Sequence, residues 1–292
     1  MTSFKDQALL VTGAGGHLGR LAVEELLARG ATRIVAGTRD PSKLADLAER
    51  GVEVRALDFD DADSVAKAFA GVDRALIIST VAANRTEQQT KAVAAAKAAG
   101  VKHLVYTSAP NARSNADAGG IVDHYWTEQA IAASGLDFTL LRNHIYADMT
   151  IYGAASALAS GQLFDATDGQ GRNYVTRADA ARTAAGALLE GTGKEILDVT
   201  GPAPVTQETI AALYTQLTGK PVARVGLTGP QLLGGLEAAG VPGFMAGLLV
   251  AFDLDAAAGF HAITTNVVER FTGRKPEALA DFLATNKAAL AA

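Results

Sequence analysis

Ala8-Leu9-Leu10-Val11-Thr12-Gly13-Ala14-Gly15-Gly16-His17-Leu18-Gly19 opens on an apolar run and closes on glycines at positions 13, 16 and 19. Ala8 to Thr12 reads as a continuous apolar strand, as one buried on both faces requires. Leu18, Leu21, Leu26 and Leu27 follow near helical spacing, and Gly30 stands where that helix ends. A strand, a glycine-rich turn and a helix in this order aim backbone N–H groups at one point, which suits an anion. The spacing G-x-x-G-x-x-G therefore predicts a dinucleotide pyrophosphate site; the alternative is a glycine-rich turn that binds nothing. Gly16 is expected where the backbone approaches the pyrophosphate, and as a position for positive φ. Gly19 is expected to let helix and strand pack closely. His17 and Leu18 are expected to offer backbone N–H groups to phosphate, rather than His17 a catalytic imidazole.

The rhythm of this first unit repeats. Strands are expected at Arg33 to Gly37, Val52 to Leu57, Arg74 to Ser79, Lys102 to Thr107 and Leu136 to Leu141. Alanine-rich helical stretches lie between them, around residues 42–50, 62–70, 86–99 and 121–134, with Gly51, Gly71, Gly100 and Gly135 at helix ends. Apolar strands separated by helices predict a doubly wound, parallel α/β sheet of the Rossmann kind. The dinucleotide-binding domain is expected over residues 1–145. Residues 146–292 are expected to form a smaller, mostly helical substrate lobe, with the strand around 195–200 returning to the main domain.

The second strand selects between nicotinamide cofactors. An acid there holds a ribose 2′-hydroxyl, but this chain reads Thr38-Arg39-Asp40-Pro41-Ser42-Lys43. Arg39 and Lys43 suit a 2′-phosphate, so NADP(H) is expected. Asp40 is the competing reading, as a partner for Arg39 or a ribose contact. Asp58 and Phe59, after the third strand, are placed to meet the adenine amine and ring. Ser79 and Thr80, after the fourth, lie at the topological switch region.

Composition narrows the classes. The 292 residues carry 31 acidic and 26 basic side chains, a net charge of −5, which argues against nucleic-acid binding. There is no cysteine, which excludes disulfides, cysteine zinc sites, iron–sulfur clusters and a cysteine nucleophile. No His-Glu-x-x-His pattern is present and no metal is expected. No run approaches the ~20 apolar residues of a spanning helix, and Met1 to Asp6 lacks signal-peptide features. The cytoplasm is the expected compartment.

Short-chain reductases commonly use a Tyr-x-x-x-Lys acid. None of the six tyrosines here has lysine four residues on. Three segments are instead expected to converge beside the nicotinamide: Tyr106-Thr107-Ser108, Asp123-His124-Tyr125-Trp126 at a helix start, and Arg142-Asn143-His144-Ile145-Tyr146. His124 is the best single group for proton delivery near neutral pH. A packing histidine at that position is the competing reading. His103 and His261 are read as surface or packing residues.

Val11 to Gly19, Thr38 to Lys43, Ala96 to Lys102, Val105 to Ser108, Thr139 to Asn143 and Thr272-Gly273-Arg274-Lys275-Pro276 together resemble the NmrA-like atypical short-chain dehydrogenase/reductases. They look similar in particular to the bacterial NADPH-dependent quinone oxidoreductase 2 and triphenylmethane reductase type. The resemblance implies NADPH on the Gly13–Gly19 loop and Arg39, with Asn143 near the nicotinamide. It places His124 where isoflavone-reductase relatives carry a proposed proton-donating lysine; quinone-reducing members have histidine there.

Three functions follow. The first is reduction of a quinone or similar flat, electron-poor compound by NADPH. The second is a carbonyl or alcohol oxidoreductase with His124 as acid/base. The third is a redox-sensing, non-catalytic NADP-binding regulator. The catalytic set read from sequence is His124, Ser108 and Tyr146. The cofactor set is Gly13, Gly16, His17, Leu18, Gly19, Arg39, Lys43, Asp58, Phe59, Ser79, Thr80, Thr107 and Asn143. A lid over 145–165 and 225–262 would offer Tyr146, Met149, Tyr152, Phe164, Phe244, Met245 and Phe252 to an aromatic ligand; the competing reading is that each of them fills the lobe's own core. The expected partner is one small aromatic substrate, with no nucleic acid and no membrane; a homodimer is left open.

Overall fold

The computed structural model describes residues 6–80, 82–115 and 119–290. The stretch read for a signal peptide lies largely outside these. In chain order the first half runs β1 (Leu9–Val11), α1 (His17–Ala28), β2 (Ile34–Thr38), α2 (Ala45–Glu49), β3 (Glu53–Ala56), α3 (Ala62–Phe69), β4 (Arg74–Ile77), α4 (Arg85–Ala98), β5 (His103–Ser108), α5 (Gly119–Ser134) and β6 (Asp137–Asn143). The second half runs β7 (Ile145–Tyr146), α6 (Asp148–Ser160), β8 (Gln162–Asp165), β9 (Arg172–Val175), α7 (Arg177–Glu190), β10 (Lys194–Val199), β11 (Pro204–Val205), α8 (Gln207–Thr218), β12 (Ala223–Gly226), α9 (Gly229–Ala238), α10 (Gly243–Ala257), α11 (Val267–Thr272) and α12 (Leu279–Thr285).

Seven parallel strands form the main sheet in the order β10-β6-β5-β4-β1-β2-β3. This is the doubly wound Rossmann arrangement expected from sequence. The order reverses between β1 and β4, which opens a crevice at the carboxyl ends of the strands. Because side chains alternate along a strand, β1 feeds both faces. Leu9 and Val11 join α1, α2, α7 and α11 in one core, and Leu10 joins α3, α4 and α5 in the other. Val105 and Tyr106 on β5 divide in the same way. Gly51, Gly71, Gly100 and Gly135 all take positive φ at helix ends.

Beyond residue 145 the chain contributes more than a helical lobe. β10 pairs with β6, and α7 and α11 cover the α1 face of the main sheet. Arg74, buried at the foot of β4, donates from Nε to the Leu188 carbonyl at 2.5 Å and from Nη2 to the Gly191 carbonyl at 2.6 Å. It thereby closes the C-terminal end of α7 onto the sheet. Two small sheets, β11-β9-β7 and β12-β8, were not expected from sequence. They carry α6, α8 and α12 around a separate core that includes Ala154, Leu158, Ile210, Tyr214 and Leu283. The hairpin of α9 and α10 packs beside them through Leu232 and Val250. No helix among the described residues is long and apolar enough to cross a membrane.

Candidate active site

The turn between β1 and α1 is the starting point. Gly13, at φ +63°, takes the left-handed conformation. Gly16 does not: it sits at φ −90° and ψ 168° as the N-cap of α1, so the sequence expectation of positive φ belongs to Gly13. A Cβ on Gly16 would meet only the Gly13 carbonyl, at 3.3 Å. A Cβ on Gly19 would lie 2.8 Å from Ala14 Cα and closer still to the Gly13 carbonyl. Gly19 is therefore fixed by packing, while Gly13, Gly15, Gly16 and His17 are exposed. Leu18 turns its side chain into the core, which leaves only its backbone for a ligand. No side chain caps α1, and no acid occupies its first turn. Its leading N–H groups are thus left for an outside acceptor.

At the end of β2, Asp40 is engaged locally. Its carboxylate accepts from Ser42 N at 3.1 Å and Ser42 Oγ at 2.6 Å, which holds it below the usual carboxylate range. The competing reading of Asp40 as a partner of Arg39 is not what the structure shows. Arg39 is exposed and extends past the strand, and Lys43 stands 3.9 Å from Asp40. Asp58 accepts from Asp60 N at 3.1 Å in a local turn. Phe59 is buried in the core beside Val35 and Val65, so packing explains it without a ligand. Thr107 Oγ1 accepts from Ser79 N at 2.9 Å and fixes the β4 end against β5. Thr80 bonds Gln88 on α4 at 2.9 Å.

A cavity of about 440 Å³ opens at the carboxyl ends of β5 and β6. Ser79, Ser108, His124, Asn143 and Tyr146 line it together, so the three segments singled out in the sequence do meet there. Met149, Phe164, Met245 and Phe252 form part of its apolar wall. Tyr152 and Phe244, expected with them, lie outside it and are 65% and 70% exposed. Arg172 and Asp253 close the far side as an ion pair of 2.5 Å.

Three polar networks set the chemistry of the inner end. Ser108 Oγ donates to Glu128 Oε1 at 2.7 Å, and Glu128 accepts from Arg142 at 2.9 and 2.6 Å. A hydroxyl has one proton, so Ser108 faces the cavity only as an acceptor, and the expectation of a catalytic role shrinks accordingly. Asn143 Nδ2 donates to the Tyr146 hydroxyl at 3.0 Å, while Asn143 Oδ1 is buried without a partner among the described residues. Burial raises the Tyr146 phenol, which keeps it protonated. His124 lies in the second turn of α5, not at its start, because the helix begins at Gly119. Its Nδ1 stands 2.8 Å from the Tyr106 hydroxyl. Burial, reinforced by the Arg85 cation, pushes His124 down to about 3. Burial thus favours the neutral imidazole at His124, which weighs against its reading as a proton donor near pH 7.

Glu128 and Gln89 went unread as site residues, and Tyr106 was read only as part of its segment. A signal for them existed. Gln89 shares the α4 stripe of Ala92, Val93 and Ala96, and His124 and Glu128 share the α5 stripe of Ile121 and Ile131. A polar residue on an apolar stripe is buried with a partner.

Burial likewise lowers His103 to about 3 and His261 to about 4, and both are packing residues as expected. All three values lie below the unfolded value near 6.5, so between these limits the unfolded chain binds more protons. Stability is then full above pH 6.5 and declines as pH falls below it. At about pH 5.5 each of the three buried histidines costs about 1.4 kcal/mol, roughly 4 kcal/mol together. Carboxylates with lowered values act only at more acid pH. Thermal melts are expected to be level from about pH 8 to pH 7 and to fall steeply by pH 5.5; a level melting temperature throughout would contradict buried neutral rings.

A family model described as NAD(P)H-binding matches residues 13–190. The chain belongs to the NAD(P)H-binding family. Quinone oxidoreductase 2 of Escherichia coli (strain K12) is 33% identical over 277 residues, 94% of this chain and 96% of that protein. The crystal structure of the NADPH-dependent quinone oxidoreductase 2 from Escherichia coli, complexed with NADPH, matches with a TM-score of 0.90 at 31% identity, over 95% of this chain and 99% of that one. The Citrobacter sp. triphenylmethane reductase complexed with NADP(H) matches with a TM-score of 0.86 at 31% identity, over 96% and 100% of the two chains.

The residues present fit the family's cofactor. The exposed glycines and uncapped α1 form a cradle that a Cβ would narrow. The orphaned Asn143 Oδ1 lines the cavity and is left to accept from an N–H donor, which a nicotinamide carboxamide carries.

Proposed function

We propose that the protein is an NADPH-dependent reductase of quinones and similar flat, electron-poor aromatic compounds, acting in the cytoplasm. The observation that carries this reading is the cavity itself. Its walls are largely apolar and aromatic, and its inner end offers His124, whose charging burial disfavours, and the Tyr146 hydroxyl, whose phenol burial raises. The reduced nicotinamide, when bound, supplies a hydride. The Gly13–Gly16 turn and the α1 N-terminus would hold the pyrophosphate, Arg39 and Lys43 the 2′-phosphate, and Asn143 the carboxamide. Asp58, Ser79, Thr80 and Thr107 would shape the rest of the groove.

The absence of a Tyr-x-x-x-Lys pair bears on the choice of substrate. A simple ketone leaves an alkoxide, which is far more basic than water tolerates and needs a donor such as the absent tyrosine–lysine pair. A quinone leaves a phenolate spread over an aromatic ring, which hydrogen bonds stabilise and water protonates. His124 and Tyr146 would give those hydrogen bonds. Met149, Phe164, Met245 and Phe252 would hold the ring by apolar contact.

The test is NADPH consumption by the purified protein against benzoquinones, naphthoquinones, cationic dyes, aldehydes and ketones. Turnover on the quinones, with little on simple ketones, is the expected result. No oxidation above background with any acceptor, alongside tight NADP(H) binding by calorimetry, would replace this reading with that of a non-catalytic sensor.

A further inference from the structure

Tyr106 is among the largest fully buried side chains of the protein. The alternation of β5 turns it toward α4 and α5, and its hydroxyl sits between the Gln89 amide and His124 Nδ1. Gln89 is fully buried, and with Oε1 set toward the tyrosine its Nε2 has no partner among the described residues. His124 lines the cavity and has its Nδ1 on this chain, so Nε2 is the nitrogen left for a ligand.

A tyrosine hydroxyl has one proton to give, and Gln89 Oε1 and His124 Nδ1 both stand within hydrogen-bond distance of it, with the Thr127 hydroxyl also close by. In one arrangement the proton goes to Gln89 Oε1. His124 must then donate from Nδ1, and Nε2 presents a bare lone pair to the cavity. The two amide N–H groups of Gln89 stay buried without acceptors. In the other arrangement the amide is turned over. Its N–H donates to the Tyr106 oxygen, the tyrosine donates to His124 Nδ1, and Nε2 carries the proton. One amide N–H and the carbonyl oxygen are then short of a partner, in place of two N–H groups. Buried donors left unpaired cost more than an under-satisfied carbonyl, and an amide's two ends are told apart only by their hydrogen bonds.

We propose that Gln89 and Tyr106 are positioning residues that lock His124 in its Nε2–H tautomer, a neutral hydrogen-bond donor to the substrate oxygen that gains negative charge. The role rests on the reading of the cavity as a quinone site. The ring keeps its proton throughout. The acceptor gains the hydride and its electron pair, its oxygen is held as an anion by Nε2–H, and water protonates it. Passing the Nε2 proton on would require Tyr106 to become a phenolate, and burial raises the Tyr106 phenol out of reach. The charges facing the ring from its neighbours are already engaged. Arg85 on α4 is paired with Asp123 on α5 at 3.0 Å, and Glu128 on α5 is paired with Arg142 on β6. Burial and the nearby Arg85 cation both disfavour an imidazolium.

The direct test is long-range ¹H–¹⁵N correlation NMR on the full-length protein labelled with ¹⁵N-histidine, with His124 assigned by the loss of its signals in His124→Asn. The expected pattern is a protonated Nε2 and a bare Nδ1, unchanged from about pH 8 to pH 5. A protonated Nδ1, or a titration within that range, overturns the proposal. Tyr106→Phe removes the lock while keeping the ring. It is expected to lower kcat on a benzoquinone about tenfold, the worth of one oriented hydrogen bond. KM and the affinity for NADPH should stay near the wild-type values, and the NMR pattern of His124 should become a mixture of tautomers. A wild-type kcat in a folded Tyr106→Phe variant overturns the positioning role. The NMR result on the ligand-free protein stands apart from activity. If the Nε2–H tautomer is present and no quinone is turned over, the cavity reading fails and the tautomer assignment survives.

Discussion

Gly16→Val is expected to lose NADPH binding while melting near the wild-type temperature, and Gly19→Val is expected to lose both. The two glycines lie three residues apart in one turn, yet different neighbours constrain them. Gly16 has an extended backbone that any residue adopts, and its Cβ would press only lightly on the Gly13 carbonyl, at 3.3 Å. The remaining branches of a valine would stand in the exposed cradle over the α1 N-terminus, where a pyrophosphate must come close to the backbone. The stability change should stay within about 1 kcal/mol. At Gly19 the added carbon would fall inside contact distance of Ala14 Cα and the Gly13 carbonyl. Backbone cannot give way as a side chain does, and overpacking of this kind costs about 3 kcal/mol or more, a drop on the order of 10 °C in Tm. Thermal melts and calorimetric titrations of both variants check the contrast. Near wild-type NADPH affinity in Gly16→Val would show that residues 13–19 are not the phosphate cradle.

Arg39→Ala is expected to weaken NADPH by roughly tenfold or more, the 1.5–3 kcal/mol of a charge-assisted phosphate contact, and to leave NADH nearly unchanged. The structure sharpens this expectation, because Asp40 is tied to Ser42 and does not neutralise the guanidinium. Arg39 is exposed, so melting should not move. Titration of both cofactors into wild type and variant decides it. Equal losses would mean that Arg39 does not distinguish the 2′-phosphate.

The main sheet was legible because its central strands, β1, β2, β4, β5 and β6, are almost wholly buried and read as largely apolar runs, while β3 and β10 lie at its edges and are partly exposed. The helix ends at Gly51, Gly71, Gly100 and Gly135 were legible because each takes a positive φ that favours glycine. The small sheets of β7, β8, β9, β11 and β12 were not, since strands of two to four residues show too little alternation to separate from loop. The start of α5 was placed late because Gly119 and Gly120 read as a break rather than a first turn. At the site, segments could be placed by topology, which brought Ser108, His124, Asn143 and Tyr146 into one cavity. Their protonation could not. His124 looks like a histidine acid in sequence, and only its burial beside Tyr106 and Arg85 makes it neutral. Ser108 looks like a free hydroxyl donor until Glu128, twenty residues on, is seen to accept its hydrogen bond.

The most direct measurement is a crystal structure of the protein with NADPH and a benzoquinone bound. The expected result has the pyrophosphate over Gly13 to Gly16, the 2′-phosphate on Arg39, the carboxamide on Asn143 Oδ1, and a quinone oxygen within hydrogen-bond distance of His124 Nε2. A dinucleotide bound elsewhere, or a quinone outside the cavity that His124 and Phe252 line, would contradict it.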